Sequence, residues 1–158
     1  MQEGKVIAIN IAPHPGEPTV LVDQIHAVPG KGLEGDHHFP DNLQKPKKPD
    51  QEVTLIEKEA IESIQREYKV QLSPKETRRN IITENIALNH LVEKEFSIGE
   101  VVLKGLRLCE PCSHLEKLTV PGVQKALIHR GGLRAQILSD GMIHKGDRIR
   151  LTLKKGVS

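Results

Sequence analysis

The chain has 158 residues, 28% charged and 37% hydrophobic, with a formal net charge of +2. That length suits one domain, 1–158, with a full core, and so small a charge provides no strong field to steer nucleic acid. Aromatics make up 2% of the chain, with no Trp, one Tyr and two Phe, so base stacking has no platform and the core is expected to be aliphatic.

KVIAINIA (Lys5 to Ala12) and TVLVDQIHAV (Thr19 to Val28) read as β-branched strands bounded by Pro and Gly, able to pair as an opening hairpin. PGKGLEGDHHFPDN and QKPKKPDQ then form one long irregular loop, and loops longer than about 12 residues in a compact domain are usually functional or disordered. VTLI (Val53 to Ile56) is a short strand or helix lead-in. It runs into a helix that places Ala60, Ile61, Ile64 and Tyr68 on one face and Glu57, Lys58, Glu62 and Arg66 toward water.

SPKE (Ser73 to Glu76) has capping-box spacing with Pro at the first helical position, predicting a helical turn before a strand over NIITENI. FSIGEVVLKGLRL (Phe96 to Leu108) gives strand material around a turn at Gly99 and leads directly to Cys109. A second helix is expected over Val123 to His129, stopped by Gly131 and Gly132. LRAQIL, a turn SDGMIHKGD and RIRLTLKK supply a closing pair of strands. Short, closely spaced strands with inserted helices predict a mostly β, α+β domain, either a barrel or a strongly bent sheet.

No apolar run approaches the about 20 residues of a membrane helix, and MQEGKVIAINIAP lacks the signal-peptide pattern. A cytoplasmic protein with no membrane partner is expected. In that reducing setting the two cysteines of CEPCSHLEKL, Cys109 and Cys112, read as thiols rather than as a structural crosslink. A zinc knuckle lacks its second pair of ligands, unless His37, His38, His114 or His129 completes it through the fold. Pro111 stops the strand before Cys112, and His114, Arg107 and Lys117 bring positive charge that favours a thiolate. The plain alternative is a buried small hydrophobe.

Three further stretches carry groups suited to a ligand. GLEGDHHF gathers Asp36, His37 and His38 behind Gly32 and Gly35, and glycines there admit close backbone approach. Arg78 and Arg79, beside Asn80, offer guanidinium forks for phosphate or carboxylate. HRGGLRA sets Arg130, Gly131 and Gly132 at a helix end. Together with the cysteine they point to an anionic ligand beside a thiolate.

In this order, GLEGDHHF, QEVTLIEKEAIE, RRNIITENIALNHLVEKEFSIGEVVLKG, CEPCSHL and RGGLRAQILSDGMIHKGDRI resemble the MOSC family, the molybdenum-cofactor sulfurase C-terminal domain. The matching stretches run from Gly32 to Ile149. The resemblance implies a MOSC-type β-barrel and a molybdenum-pterin cofactor held by Gly35, Asp36, His38, Arg78, Arg79, Asn80, Arg130, Gly131 and Gly132. It assigns Cys112, in its Pro-Cys-x-x-Leu context, as sulfur carrier or molybdenum ligand, and leaves Cys109 without a counterpart. His37 stands where the family often has Arg, and Arg78 or Arg79 stands for its Arg near Asn.

The family is often discussed beside pyridoxal phosphate, yet no autonomous site for that cofactor is recognisable here. A sulfur donor or an electron-transfer protein is therefore expected in trans, serving either sulfur delivery or reduction of an N-hydroxylated substrate. The alternative is a structural zinc module or a catalytically silent interaction domain.

Overall fold

The computed structural model describes residues 3–14, 16, 18–36, 48–69, 71, 73–109 and 131–152. In chain order the strands are β1 (Glu3–Ile11), β2 (Val20–Val22), β3 (Gln24–Val28), β4 (Gly32–Leu33), β5 (Val53–Glu57), β6 (Ile81–Glu84), β7 (Glu95–Ile98), β8 (Val101–Leu108), β9 (Leu133–Ile137), β10 (Gly141–His144) and β11 (Arg148–Leu151). One α-helix, α1 (Lys58–Tyr68), and three 3-10 turns, at Pro49–Gln51, Lys75–Thr77 and Leu88–Leu91, complete the elements among the described residues. Among the described residues the domain is therefore mostly β, with one α-helix. The second expected helix, over 123–129, lies outside the described residues.

The main sheet runs β11-β7-β8-β9-β5-β6-β1-β2, and β11 also pairs with β1. Seven strands thus close on themselves as a barrel, with β2 as an outlying addition. Closure removes the free edges that an open sheet leaves exposed. Alternation fills the inside: along β8 Val101 and Leu103 are buried, and along β9 Leu133, Ala135 and Ile137. Among the described residues they form, with Val6, Ile9, Leu55, Ile81, Ile98 and Ile149, an aliphatic core around the Phe96 ring.

β5 and β6 are the one parallel pair of strands among the described residues. A parallel pair needs a crossover between its strands, and α1 supplies it, burying Ala60, Ile61 and Ile64. Its other expected face holds at Glu62 and Arg66, which are exposed. Glu57 differs: it is half-buried and its Oε2 accepts the Leu88 amide at 3.2 Å, while burial pushes its carboxyl pKa up. The capping box closes as its spacing requires. Ser73 donates its amide to Glu76 Oε1 at 3.0 Å, and Glu76 donates its own to Ser73 Oγ at 3.4 Å.

Three expectations need correction. Thr19 to Val28 is not one strand: it breaks at Asp23, so that β2 extends the barrel sheet while β3 joins a second sheet, β10-β3-β4. Packing divides the run, since Ile25 and Ala27 are buried whereas Val20 and Leu21 are about half exposed. The stretch taken as a turn, SDGMIHKGD, contains β10, which pairs with β3 over Gly141 to His144. And β9 and β11 do not pair with each other, because β9 lies between β8 and β5 while β11 lies between β7 and β1.

At Gly105 β8 is bulged, and the chain around Val92 lies directly on it: Glu93 donates to the Gly105 carbonyl at 2.8 Å and Gly105 donates to Lys94 at 2.9 Å. A Cβ at this position would run into the Leu91 carbonyl oxygen. Gly105→Ala is expected to lower stability by about 2 kcal/mol through overpacking, measured as a shift in the urea midpoint at unchanged slope.

Candidate functional site

β8 ends at Leu108, and the next residue, Cys109, is buried with a free thiol. Its amide donates to the Gly132 carbonyl at 2.7 Å, so the chain entering residue 110 and the chain leaving residue 130 are joined at their described ends. Gly132 is required there. It has φ +113, and a Cβ would collide with the Leu55 carbonyl oxygen. Cys112, His37, His38, His114 and Arg130 lie outside the described residues.

Arg79 strengthens this junction from a third part of the chain. Its Nε donates to the Gly131 carbonyl at 2.7 Å and its Nη2 to the Cys109 carbonyl at 3.2 Å. One buried guanidinium therefore bridges both flanks of the 110–130 segment. The rigid fork suits this work, since two donors in fixed geometry meet two acceptors. Thr77 Oγ1 accepts the Arg79 amide at 3.2 Å and steadies its backbone.

Asn80 faces inward as well. Its Oδ1 accepts from the amide and hydroxyl of Thr54 at 3.0 and 3.2 Å, and its Nδ2 donates to the Asn10 carbonyl at 3.2 Å. Asn10, 1% exposed, donates through Nδ2 to the carbonyls of Pro74 at 2.7 Å and Arg79 at 3.2 Å. Among the described residues its Oδ1 has no partner. Asn10 was not singled out from the sequence, although a lone Asn within an apolar strand is itself a sign of a buried polar contact.

Arg78 is turned the other way. It ends the Lys75–Thr77 turn in the left-handed region at φ 56, a conformation that costs a non-glycine residue about 1 kcal/mol or more. The half-buried side chain makes no hydrogen bond or ion pair with a described residue, and it lines a recess of about 320 Å³ with Gly16, Pro18, Thr19, Ser73, Lys75 and the acidic Glu76. Burial lowers its pKa, and the nearby Asp36 carboxylate partly opposes that shift. Asp36 itself is buried, with Oδ1 accepting the Ala12 amide at 2.8 Å, and it follows Gly35 at φ +96.

The GLEGD loop, the RRN stretch and the cysteine flank with its two glycines thus meet around the start of β6. Arg107 does not join them as a free charge: its guanidinium reaches Asp50 Oδ2 at 2.9 and 3.2 Å and holds that carboxyl below its usual range. Among the described residues no three His, Cys, Asp or Glu side chains form a metal cluster. None of the described helices is long and apolar enough to cross a membrane.

A family model described as the MOSC domain matches residues 34–150. Solved structures share the fold at low identity. The YUAD protein from Bacillus subtilis is 16% identical with a TM-score of 0.80, covering 96% of this chain and 98% of that one. YiiM from Geobacillus stearothermophilus is 16% identical with a TM-score of 0.69, covering 98% and 77%. YiiM from Escherichia coli is 17% identical with a TM-score of 0.67, covering 98% and 71%. The comparison with curated proteins gave no significant match.

The adjacent arginines are expected to respond to substitution to very different extents. Arg79→Ala should lower stability by about 3 kcal/mol, because two carbonyls lose a charged donor, whereas Arg78→Gly should leave it within about 1 kcal/mol of the parent, since relief of the left-handed strain is offset by glycine entropy. Thermal and chemical denaturation of the two variants would check the contrast.

Proposed function

Since this chain belongs to the MOSC domain family, which is associated with molybdenum-cofactor binding, we propose that it binds a molybdenum cofactor or a related molybdenum-sulfur species, with Cys112 as the sulfur carrier or metal ligand. The observation that carries this reading is the convergence of three distant stretches: Asp36 and Arg78 interact electrostatically, and Arg79, next in sequence, bridges Cys109 and Gly131. A soft thiolate suits molybdenum and sulfur. The half-buried Arg78, which makes no hydrogen bond or ion pair with a described residue, suits the cofactor's phosphate.

In this reading the residues divide the work. Arg78 and Lys75 hold the anionic part of the ligand, Asp36 supports Arg78, and Arg79 with Gly131 and Gly132 sets where the cysteine segment leaves and rejoins the barrel. The cofactor would supply a redox-active, sulfur-bound metal. Cys112, three residues beyond the anchored Cys109, would accept a sulfane sulfur from a donor persulfide, the donor leaving as its thiolate, or would ligate molybdenum directly. The sulfur donor, or the electron donor for reduction of an N-hydroxylated substrate, comes from a separate protein.

Expression in a cofactor-competent host followed by molybdenum and pterin analysis tests the reading. Near-stoichiometric molybdenum and pterin are expected in the parent, loss of sulfur transfer or reduction in Cys112→Ala, and retention of most activity in Cys109→Ala. Stoichiometric zinc without molybdenum would overturn it in favour of a structural zinc module. Equal loss from both cysteine variants would indicate a redox pair instead.

A further inference from the structure

The imidazole of His26, on β3, is held between two carboxylates. Its Nδ1 lies 2.9 Å from Glu34 Oε2 and its Nε2 lies 2.9 Å from Asp140 Oδ1. β3 is the central strand of the smaller sheet, flanked by β4 and β10. Glu34 follows β4 and immediately precedes Gly35 and Asp36, while Asp140 immediately precedes β10. The ring therefore joins the loop carrying Asp36 to the β9–β10 turn.

An ionised carboxylate only accepts hydrogen bonds, and a neutral imidazole has a single N–H. Both contacts are hydrogen bonds together only when the ring is an imidazolium. Loss of the proton turns one ring lone pair toward a carboxylate, and that contact becomes repulsive. The hydrogen bond to Asp140 and then the one to Glu34 hold the imidazolium above its ordinary pKa against a smaller opposing effect of burial. From the β10 side the charged group facing the ring is Asp140 and from the β4 side it is Glu34; no cation among the described residues contributes. Met142, opposite His26 on β10, is uncharged.

We propose that His26 is a proton-operated latch that holds the Glu34–Asp36 loop to the β9–β10 turn. It is closed below the ordinary histidine pKa of about 6.5 and opens as pH rises through the higher folded value, in the sense expected for a histidine stabilised by acidic partners. Both ring contacts are 2.9 Å long, and the loss of either arm unties the loop from the turn. Side-chain exposures of 36% for His26, 60% for Glu34 and 62% for Asp140 keep the effect local, because exposed pairs contribute little to overall stability. The backbone bonds from Glu34 to the His26 carbonyl at 3.0 Å and from Asp36 to Leu33 at 3.1 Å preserve the loop path when the side chain lets go.

The latch stands on these contacts alone; its consequence for a ligand rests on the reading of Asp36 above. It is tested by NMR titration of the purified chain between about pH 5 and pH 9, with His26→Gln identifying the His26 Cε1 proton. The expected midpoint lies above about 6.5, and the amides of Gly35, Asp36 and Asp140 shift with that same midpoint. Glu34→Gln and Asp140→Asn each lower it, and His26→Gln abolishes the shared transition at Gly35 and Asp36. A His26 midpoint at or below its ordinary value, or Gly35 and Asp36 amides that stay still through it, overturns the latch. The measurement needs no cofactor, so an absence of molybdenum overturns the functional proposal without touching this one.

Discussion

Closure of the barrel through β1 is the constraint on which the other features depend. One edge of this strand pairs with β6 from Lys5 to Ile9, while the other pairs with β11 over Glu3 to Lys5 and with β2 over Ile9 to Ile11. The change of partner lets the same strand complete the seven-stranded barrel and then leave it toward the smaller sheet. A bulge between Val6 and Ala8 absorbs the extra twist. Where β1 runs out, Asn10 and Ala12 present the carbonyl and amide that Asn80 and Asp36 use. The strand that closes the core is thus also the floor of the site.

Arg78 and Arg79 show how a single backbone choice assigns roles. The left-handed conformation at Arg78 ends the 3-10 turn abruptly, so its side chain borders the recess while that of Arg79 is buried against Gly131 and Cys109. Two identical side chains then meet different physics. Arg79 has carbonyl acceptors that offset the cost of burying its charge, whereas Arg78 makes no hydrogen bond with a described residue and borders the recess. Strain at Arg78 and satisfaction at Arg79 follow from the same turn, and a glycine at 78 would relieve the strain while removing the cation.

The shared fold at 16–17% identity with the YUAD and YiiM structures fits a core specified by pattern and volume. An aliphatic barrel interior of Ile, Leu and Val tolerates exchange among these residues. What an exchange of apolar side chains cannot supply is the set of buried polar contacts around β6, where Asn10, Thr54, Arg79 and Asn80 bind one another and the backbone. These contacts tie the turn before β6 to β1, to β5 and to the cysteine flank, giving the site a rigid base.

Much of the architecture was legible in the chain itself. β-Branched and aliphatic runs bounded by Pro, Gly and turn residues marked β1, β7, β8 and β9; 3.6-residue spacing marked α1; the Ser73–Glu76 spacing marked a capped turn; and ordered motifs marked the family. These signals are local, carried within one or two turns or a few strand residues, and so survive without knowledge of the fold. The break at Asp23, the strand hidden in SDGMIHKGD and the partners of β9 and β11 were not legible, because strand pairing is decided between residues far apart in sequence. For the same reason composition alone named Arg78, Arg79 and Asn80 as equals. Only the tertiary structure, by bringing Cys109, Gly131 and Asp36 to the start of β6, separated an arginine facing a recess from one that braces the chain.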